Sequence, residues 1–105
     1  MEPITEPVLL ILLSLATQPR HGYAILRDTE QISDGRVRLS TGTLYGALRR
    51  LLDDGWIERY KDDDTSRGKQ SYRLTSLGRR NLQAEVSRLK QLTRVAALRV
   101  ARKET

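Results

Sequence analysis

STGTLYGALRRLLDDGWI, residues Ser40 to Ile57, decides how the rest of this chain folds. Leu44, Leu48, Leu51 and Leu52 recur at i, i+4, i+7 and i+8, so the spacing predicts a helix with one apolar stripe turned to a core. Ser40 is a good N-cap and Gly55 a good stop just past the last apolar turn. The opposite stripe carries Gly42, Tyr45, Gly46, Arg49 and, turned slightly, Arg50. A glycine inside a helix costs about 1 kcal/mol against alanine. Two of them one turn apart let a backbone lie close to a partner while the phenol and guanidinium reach past it. A nucleic-acid groove is such a partner, because Arg pairs with guanine edges or phosphates and a helix N-terminus favours anions. A plain solvent face that holds two glycines and ends in two arginines fits the same spacing.

The 105 residues suffice for one domain with a modest core. Lys and Arg outnumber Asp and Glu by 19 to 13, a net charge of +6 that favours a polyanionic partner. The excess is unevenly placed: residues 1–35 carry −3, residues 36–61 carry +3 and residues 76–105 carry +6. With no Cys and His21 as the only histidine, the chain offers no thiolate, no imidazole pair for a metal and no Ser/His choice of partners. No glycine-rich phosphate loop appears, and no catalytic residue, metal or cofactor is expected. The run Val8 to Ala16 is far shorter than the roughly 20 residues a membrane span needs, and Glu2 and Glu6 stand where an export signal carries cations. It reads as a buried helix of a cytoplasmic protein.

Thr5, Glu6 and Pro7 mark the start of that helix, which runs to about Thr17 and must be covered on more than one side, by the domain or by a second subunit. A second helix follows from about Gly22 to Ser33, with Ile25, Leu26, Thr29 and Ile32 on one face. Tyr23 in its first turn fits either a core position or a hydroxyl aimed at phosphate. Asp34 and Gly35 make a turn, residues 36–39 suit a short extended piece, and Ser40 then opens the central helix: a helix-turn-helix. Trp56 to Lys61 and Gln70 to Thr75 read as two strands with Ile57, Tyr72 and Leu74 inward, around a polar tip from Asp62 to Lys69. Trp56 suits a plug between hairpin and central helix.

Thr75 caps a last helix to about Arg102, in which Leu82, Val86, Leu89, Thr93, Ala96 and Val100 repeat at a mean of 3.5 residues, with Leu92, Val95 and Leu98 widening the stripe. At roughly 40 Å it outruns what so small a domain can cover, so its seam is expected to pack on a twin. The fold class is therefore mainly α with a small β-hairpin: a winged helix-turn-helix over residues 1–75 and a dimerisation helix over residues 76–105, packed together as one unit.

With these segments placed, the chain resembles the PadR family of transcriptional regulators. The resemblance rests on HGYAI (His21 to Ile25), GTLYGALRRLLDDGWI (Gly42 to Ile57) and SYRLTSLG (Ser71 to Gly78), and covers roughly residues 6–82. It implies a winged helix, a C-terminal helix swapped in a homodimer, and binding to an inverted-repeat operator in double-stranded DNA, usually as a repressor. By position it implies that Tyr23 and Tyr45 touch the DNA backbone. Ser40 to Arg50, including Thr41, Gly42, Thr43, Gly46 and Arg49, would enter the major groove, and the hairpin tip would lie along the minor groove. Gly46 stands where many relatives have proline. Asp62, Asp63 and Asp64 repel phosphate, which leaves minor-groove contact to Arg67 and Lys69. The last helix is the short version and carries no aromatic residue to stack a small-molecule effector. The rival to a DNA-binding regulator is a winged-helix adaptor in which Arg49 and Arg50 meet an acidic protein and the long helix forms a coiled coil.

Overall fold

The computed structural model describes residues 4–61 and 70–102. Its elements run α1 (Glu6–Leu15), β1 (Arg20–His21), α2 (Gly22–Ile32), α3 (Thr41–Asp53), β2 (Ile57–Tyr60), β3 (Ser71–Leu74) and α4 (Ser76–Val100).

Thr5 opens α1 by accepting the Val8 N–H at 3.4 Å, with Glu6 at the positive end of the helix dipole. Leu10, Ile11, Leu12, Ser14 and Leu15 are all buried, an arc much wider than one stripe. α2, α4 and β3 pack on that arc, so the chain itself covers most of its most apolar helix. α1 ends at Leu15, earlier than the expected Thr17, where the Ala16 N–H tightens onto Leu13 O. Arg79 of α4 donates to the Ala16 carbonyl at 3.2 Å, satisfying one of the acceptors that a helix end leaves over. Ser14 is fully buried and its hydroxyl has no hydrogen-bond partner among the described residues.

The stretch from Ser40 to Ile57 folds as its spacing predicts. Ser40 Oγ accepts the Thr43 N–H at 3.0 Å, and Leu44, Leu48 and Leu51 turn inward. At the other end Gly55 adopts φ 77°, the Trp56 N–H reaches Leu51 O at 2.9 Å and the Gly55 N–H reaches Leu52 O at 3.1 Å. This is the paired Schellman closure that favours glycine. α2 closes in the same way around Asp34, a non-glycine residue at φ 56°. Beyond it the Ser33 hydroxyl accepts the Val37 N–H at 3.0 Å and curls the loop, so residues 36–39 form no strand. Ile32, expected inward on α2, is 42% exposed because the helix ends there and turns away.

The expected hairpin is present as β2 and β3, in register Ile57↔Leu74 to Tyr60↔Ser71, with Ile57, Tyr72 and Leu74 buried. A third strand joins it. β1 pairs Arg20 with Tyr72 and His21 with Ser71, giving the antiparallel order β1-β3-β2 with β3 in the centre. The tip residues Asp62, Asp63, Asp64, Arg67 and Lys69 lie outside the described residues.

Two bonds knot the end of α3 to the start of α4, and a third caps α4. The Thr75 N–H donates to Trp56 O at 3.0 Å, the Thr75 hydroxyl donates to Gly55 O at 2.6 Å, and the Gly78 N–H returns to Thr75 Oγ1 at 3.0 Å. Gly78 then lies on the Trp56 carbonyl: a Cβ there would stand 2.8 Å from the carbonyl carbon and nearer still to its oxygen. α4 spans 25 residues and draws the molecule out to 63 Å in its longest dimension. Leu82 is 5% exposed and belongs to the core of its own chain, which corrects its expected place in an intermolecular seam. Val86 also packs partly against that core.

Two of the helical glycines, Gly46 and Gly78, should respond in opposite senses to alanine. Gly46→Ala meets no atom within 4 Å and should raise stability by about 1 kcal/mol. Gly78→Ala drives a methyl into backbone and should cost at least about 2 kcal/mol. Urea unfolding of both variants checks the contrast, and equal shifts would refute it.

Candidate nucleic-acid interface

With Leu44, Leu48 and Leu51 inward, α3 leaves Ser40, Thr41, Gly42, Thr43, Tyr45, Gly46, Arg49 and Arg50 exposed. The structure divides this set by side. Gly42, Thr43, Gly46 and Arg50 border a groove of about 680 Å³ between α3 and the start of α1, lined also by Val8 and Trp56. Arg49 is absent from that lining and points outward. The two arginines, adjacent in sequence and about 100° apart around the helix, therefore serve different surroundings. Trp56 packs partly against the core and forms one wall of the groove, close to the plugging role its position suggested.

Tyr45 lies on the other side of α3, against α2. The Gly22 backbone meets its phenol: a Cβ on Gly22 would lie 3.0 Å from Tyr45 Cζ and closer to the hydroxyl. Gly22 is thus the residue that lets the ring lie across the start of α2. The imidazole of His21 caps that helix, its Nδ1 accepting the Ala24 N–H at 3.4 Å, a pairing that needs the lone pair of a neutral ring nitrogen. Tyr23 is 55% exposed and not a core residue, with the Arg27 guanidinium 5.8 Å from its ring centroid. Tyr23 and Tyr45, 47% exposed, are brought to the same edge, where α2 begins beside α3.

Beneath them Tyr72 of the central strand is buried, and burial pushes its phenol above the ordinary range. The neighbouring Tyr45 phenol raises it further, while Arg59 acts in the opposite direction. Arg59 is thereby placed beside the tyrosine pair. The primary structure alone marks it only as a polar strand residue. Its significance comes from the register, which sets it directly across from Tyr72. Among the described residues no helix is long and apolar enough to cross a membrane.

On α4 the residues Leu89 and Val95 are half-buried, whereas Leu92, Ala96, Leu98 and Val100 are exposed. Leu92, Leu98 and Val100 stand out at 51%, 70% and 84% exposure, all in the distal half of the helix.

These features have counterparts in known proteins. The family model described as "Transcriptional regulator PadR-like family" matches residues 11–84. A curated relative, the uncharacterized 37.1 kDa protein in transposon TN4556 of Streptomyces fradiae, is 37% identical over 86 residues, which make up 81% of this chain and 23% of that protein. This chain thus spans about a quarter of the length of that relative. Among solved structures, a PadR family transcription regulator from hypervirulent Clostridium difficile superposes with a TM-score of 0.75 at 24% identity, over 92% of this chain and all of that one. Bacillus subtilis PadR in complex with operator DNA gives a TM-score of 0.69 at 23% identity, over 82% of this chain and 49% of that one. At such identities the structures testify to a shared fold, a winged helix with one long terminal helix. The family model, which runs from α1 through the reading helix and the hairpin into α4, supplies the rest: this chain belongs to the PadR-like family of transcriptional regulators.

Proposed function

We propose that this PadR-like regulator is a cytoplasmic protein that binds double-stranded DNA as a homodimer and represses transcription from an inverted-repeat operator. The observation that carries the reading is the outward stripe of α3, where Gly42, Gly46 and Arg49 stand opposite a fully buried leucine face and Tyr45 and Tyr23 flank them. A helix seated that firmly can enter a major groove without deforming. Its small residues allow close approach, and Arg49 projects far enough to pair with a base edge. Ser40, Thr41 and Thr43 provide short donors at the helix start, suited to phosphate. Arg50, turned toward the groove at α1, reaches the duplex from the side. Arg67 and Lys69 would extend the surface along the minor groove. Support also comes from the structure of Bacillus subtilis PadR with its operator, which has the same fold.

Dimerisation follows from α4. The domain division is functional: residues 1–75 read, residues 76–105 pair, and Leu82 holds the two together. The distal leucines and Val100 are too exposed for a solitary helix, and Val86, Leu89, Leu92, Ala96 and Val100 form the seam in this reading. Pairing gives two reading heads on one rigid frame, so the second half-site contact becomes effectively intramolecular.

Selection of bound fragments from a random DNA pool tests the whole reading, since it should recover a repeat with two-fold symmetry. A chain that binds no duplex at low salt yet captures an acidic protein would favour the adaptor instead.

Arg49→Ala should lower affinity for the selected operator by about 1 to 3 kcal/mol while leaving binding to random DNA nearly unchanged. Equal losses on both would make it a phosphate contact. Gly22→Ala should swing the Tyr45 ring away from α2 and weaken binding to both DNAs, with a change in thermal midpoint of only a few degrees, because the clash falls on the far end of a flexible side chain. Unaltered binding would detach Tyr45 from the interface. Leu89→Asp should yield a monomer near 12.0 kDa in sedimentation, with the winged-helix head still folded and operator binding reduced to the nonspecific level. A variant that stays dimeric would remove α4 as the seam.

A further inference from the structure

The sheet carries three arginines, Arg20, Arg59 and Arg73. Two of them are neutralised within the chain. Arg20 stands 3.7 Å from Asp28 and donates to Ser14 O, and Arg73 pairs with Glu58 at 2.7 Å while its guanidinium lies 4.8 Å from the Tyr60 ring centroid. Arg59 has no carboxylate within ion-pair distance among the described residues, and it is exposed.

Its placement follows from register. Residues directly opposite in an antiparallel pair project to the same face, so Arg59 shares the face of Tyr72, the side on which the sheet packs against the helices. β2 is an edge strand of that sheet and packs on α3. β1 is held on the other side of Tyr72 and leads straight into Gly22, where the Tyr45 phenol rests. The Arg59 guanidinium, with no carboxylate at ion-pair distance among the described residues, and the phenol of Tyr45, a residue 47% exposed, thus flank Tyr72 at the same border of α3. The electrostatic influence of both on the Tyr72 phenol agrees with that proximity.

We infer that Arg59 is a further DNA-contact residue, which holds a backbone phosphate jointly with the Tyr45 hydroxyl at the edge of the reading helix. This rests on the DNA-binding reading above. Guanidinium and phenol are both donors, one charged and one neutral, and a phosphate offers oxygens to each. The contact positions the duplex against α3 and carries no base information. It also supplies a cation at the base of a hairpin whose tip carries Asp62, Asp63 and Asp64.

The test compares wild type, Arg59→Ala, Arg59→Lys, Tyr45→Phe and the Arg59→Ala/Tyr45→Phe pair by fluorescence anisotropy, on a random-sequence duplex and on the selected operator, across a salt titration. Arg59→Ala should weaken binding to both duplexes by about tenfold at low salt and make the slope of log affinity against log salt shallower by about 1 per protomer. Arg59→Lys should keep the slope. The double variant should lose less than the product of the single losses, because the two groups share one phosphate. The melting temperature of Arg59→Ala should stay within about 2 °C of wild type, as for an exposed residue with no ion-pair partner among the described residues. Wild-type affinity and slope in Arg59→Ala would overturn the assignment. So would a loss confined to the operator, which marks a base contact, or losses that multiply in the double variant, which mark separate sites. A wild-type chain that binds neither duplex fails the DNA reading itself, a result distinct from all of these.

Discussion

The close passage of Gly78 over the Trp56 carbonyl is the constraint on which the architecture hangs. It occurs where three parts of the molecule meet: the end of the reading helix, the base of the hairpin and the first turn of the long helix. With Thr75 bonded to both Gly55 and Trp56, the direction in which α4 leaves is set by the direction in which α3 ends. No flexible linker separates the element assigned to DNA from the element assigned to pairing. In the proposed homodimer, rigid coupling of this kind would fix the spacing of two heads, and spacing is what a symmetric operator measures.

The second support is α1. A helix buried over so wide an arc must have neighbours on several sides, and α2, α4 and β3 provide them. Its price is a buried hydroxyl at Ser14 that has no hydrogen-bond partner among the described residues. Near its start, Val8 lines the groove that α1 forms with α3.

Much of this was legible in the primary structure because it rests on local periodicity and on caps. The leucines of α3, the Ser40 and Thr75 caps, the Gly55 stop and the inward alternation of Ile57, Tyr72 and Leu74 all came out where their spacing put them. β1 was not legible. Two residues between Pro19 and Gly22 carry no alternation, and they become a strand only because the free edge of β3 needs hydrogen-bond partners. Leu82 misled for the opposite reason: a repeat near 3.5 residues continues unbroken from the part of α4 that covers its own domain into the part that does not. The flank of α3 that meets α1 likewise depends on packing, so Arg49 and Arg50 look alike until the groove is seen. The resting place of Tyr45 depends on Gly22, a residue of another helix, and Arg59 gains its meaning from a register that its own strand does not contain.

The bare apolar end of α4 also bears on how such a regulator would respond to its own abundance. If the proposed dimer forms, then while the chain is dilute and mostly unpaired the concentration of dimers would grow as the square of the concentration of chains. Operator occupancy then climbs more steeply than it would for a one-headed binder, and a modest fall in synthesis releases the site sooner. Threshold behaviour of this kind requires no bound effector. It needs only a helix longer than its own domain can cover.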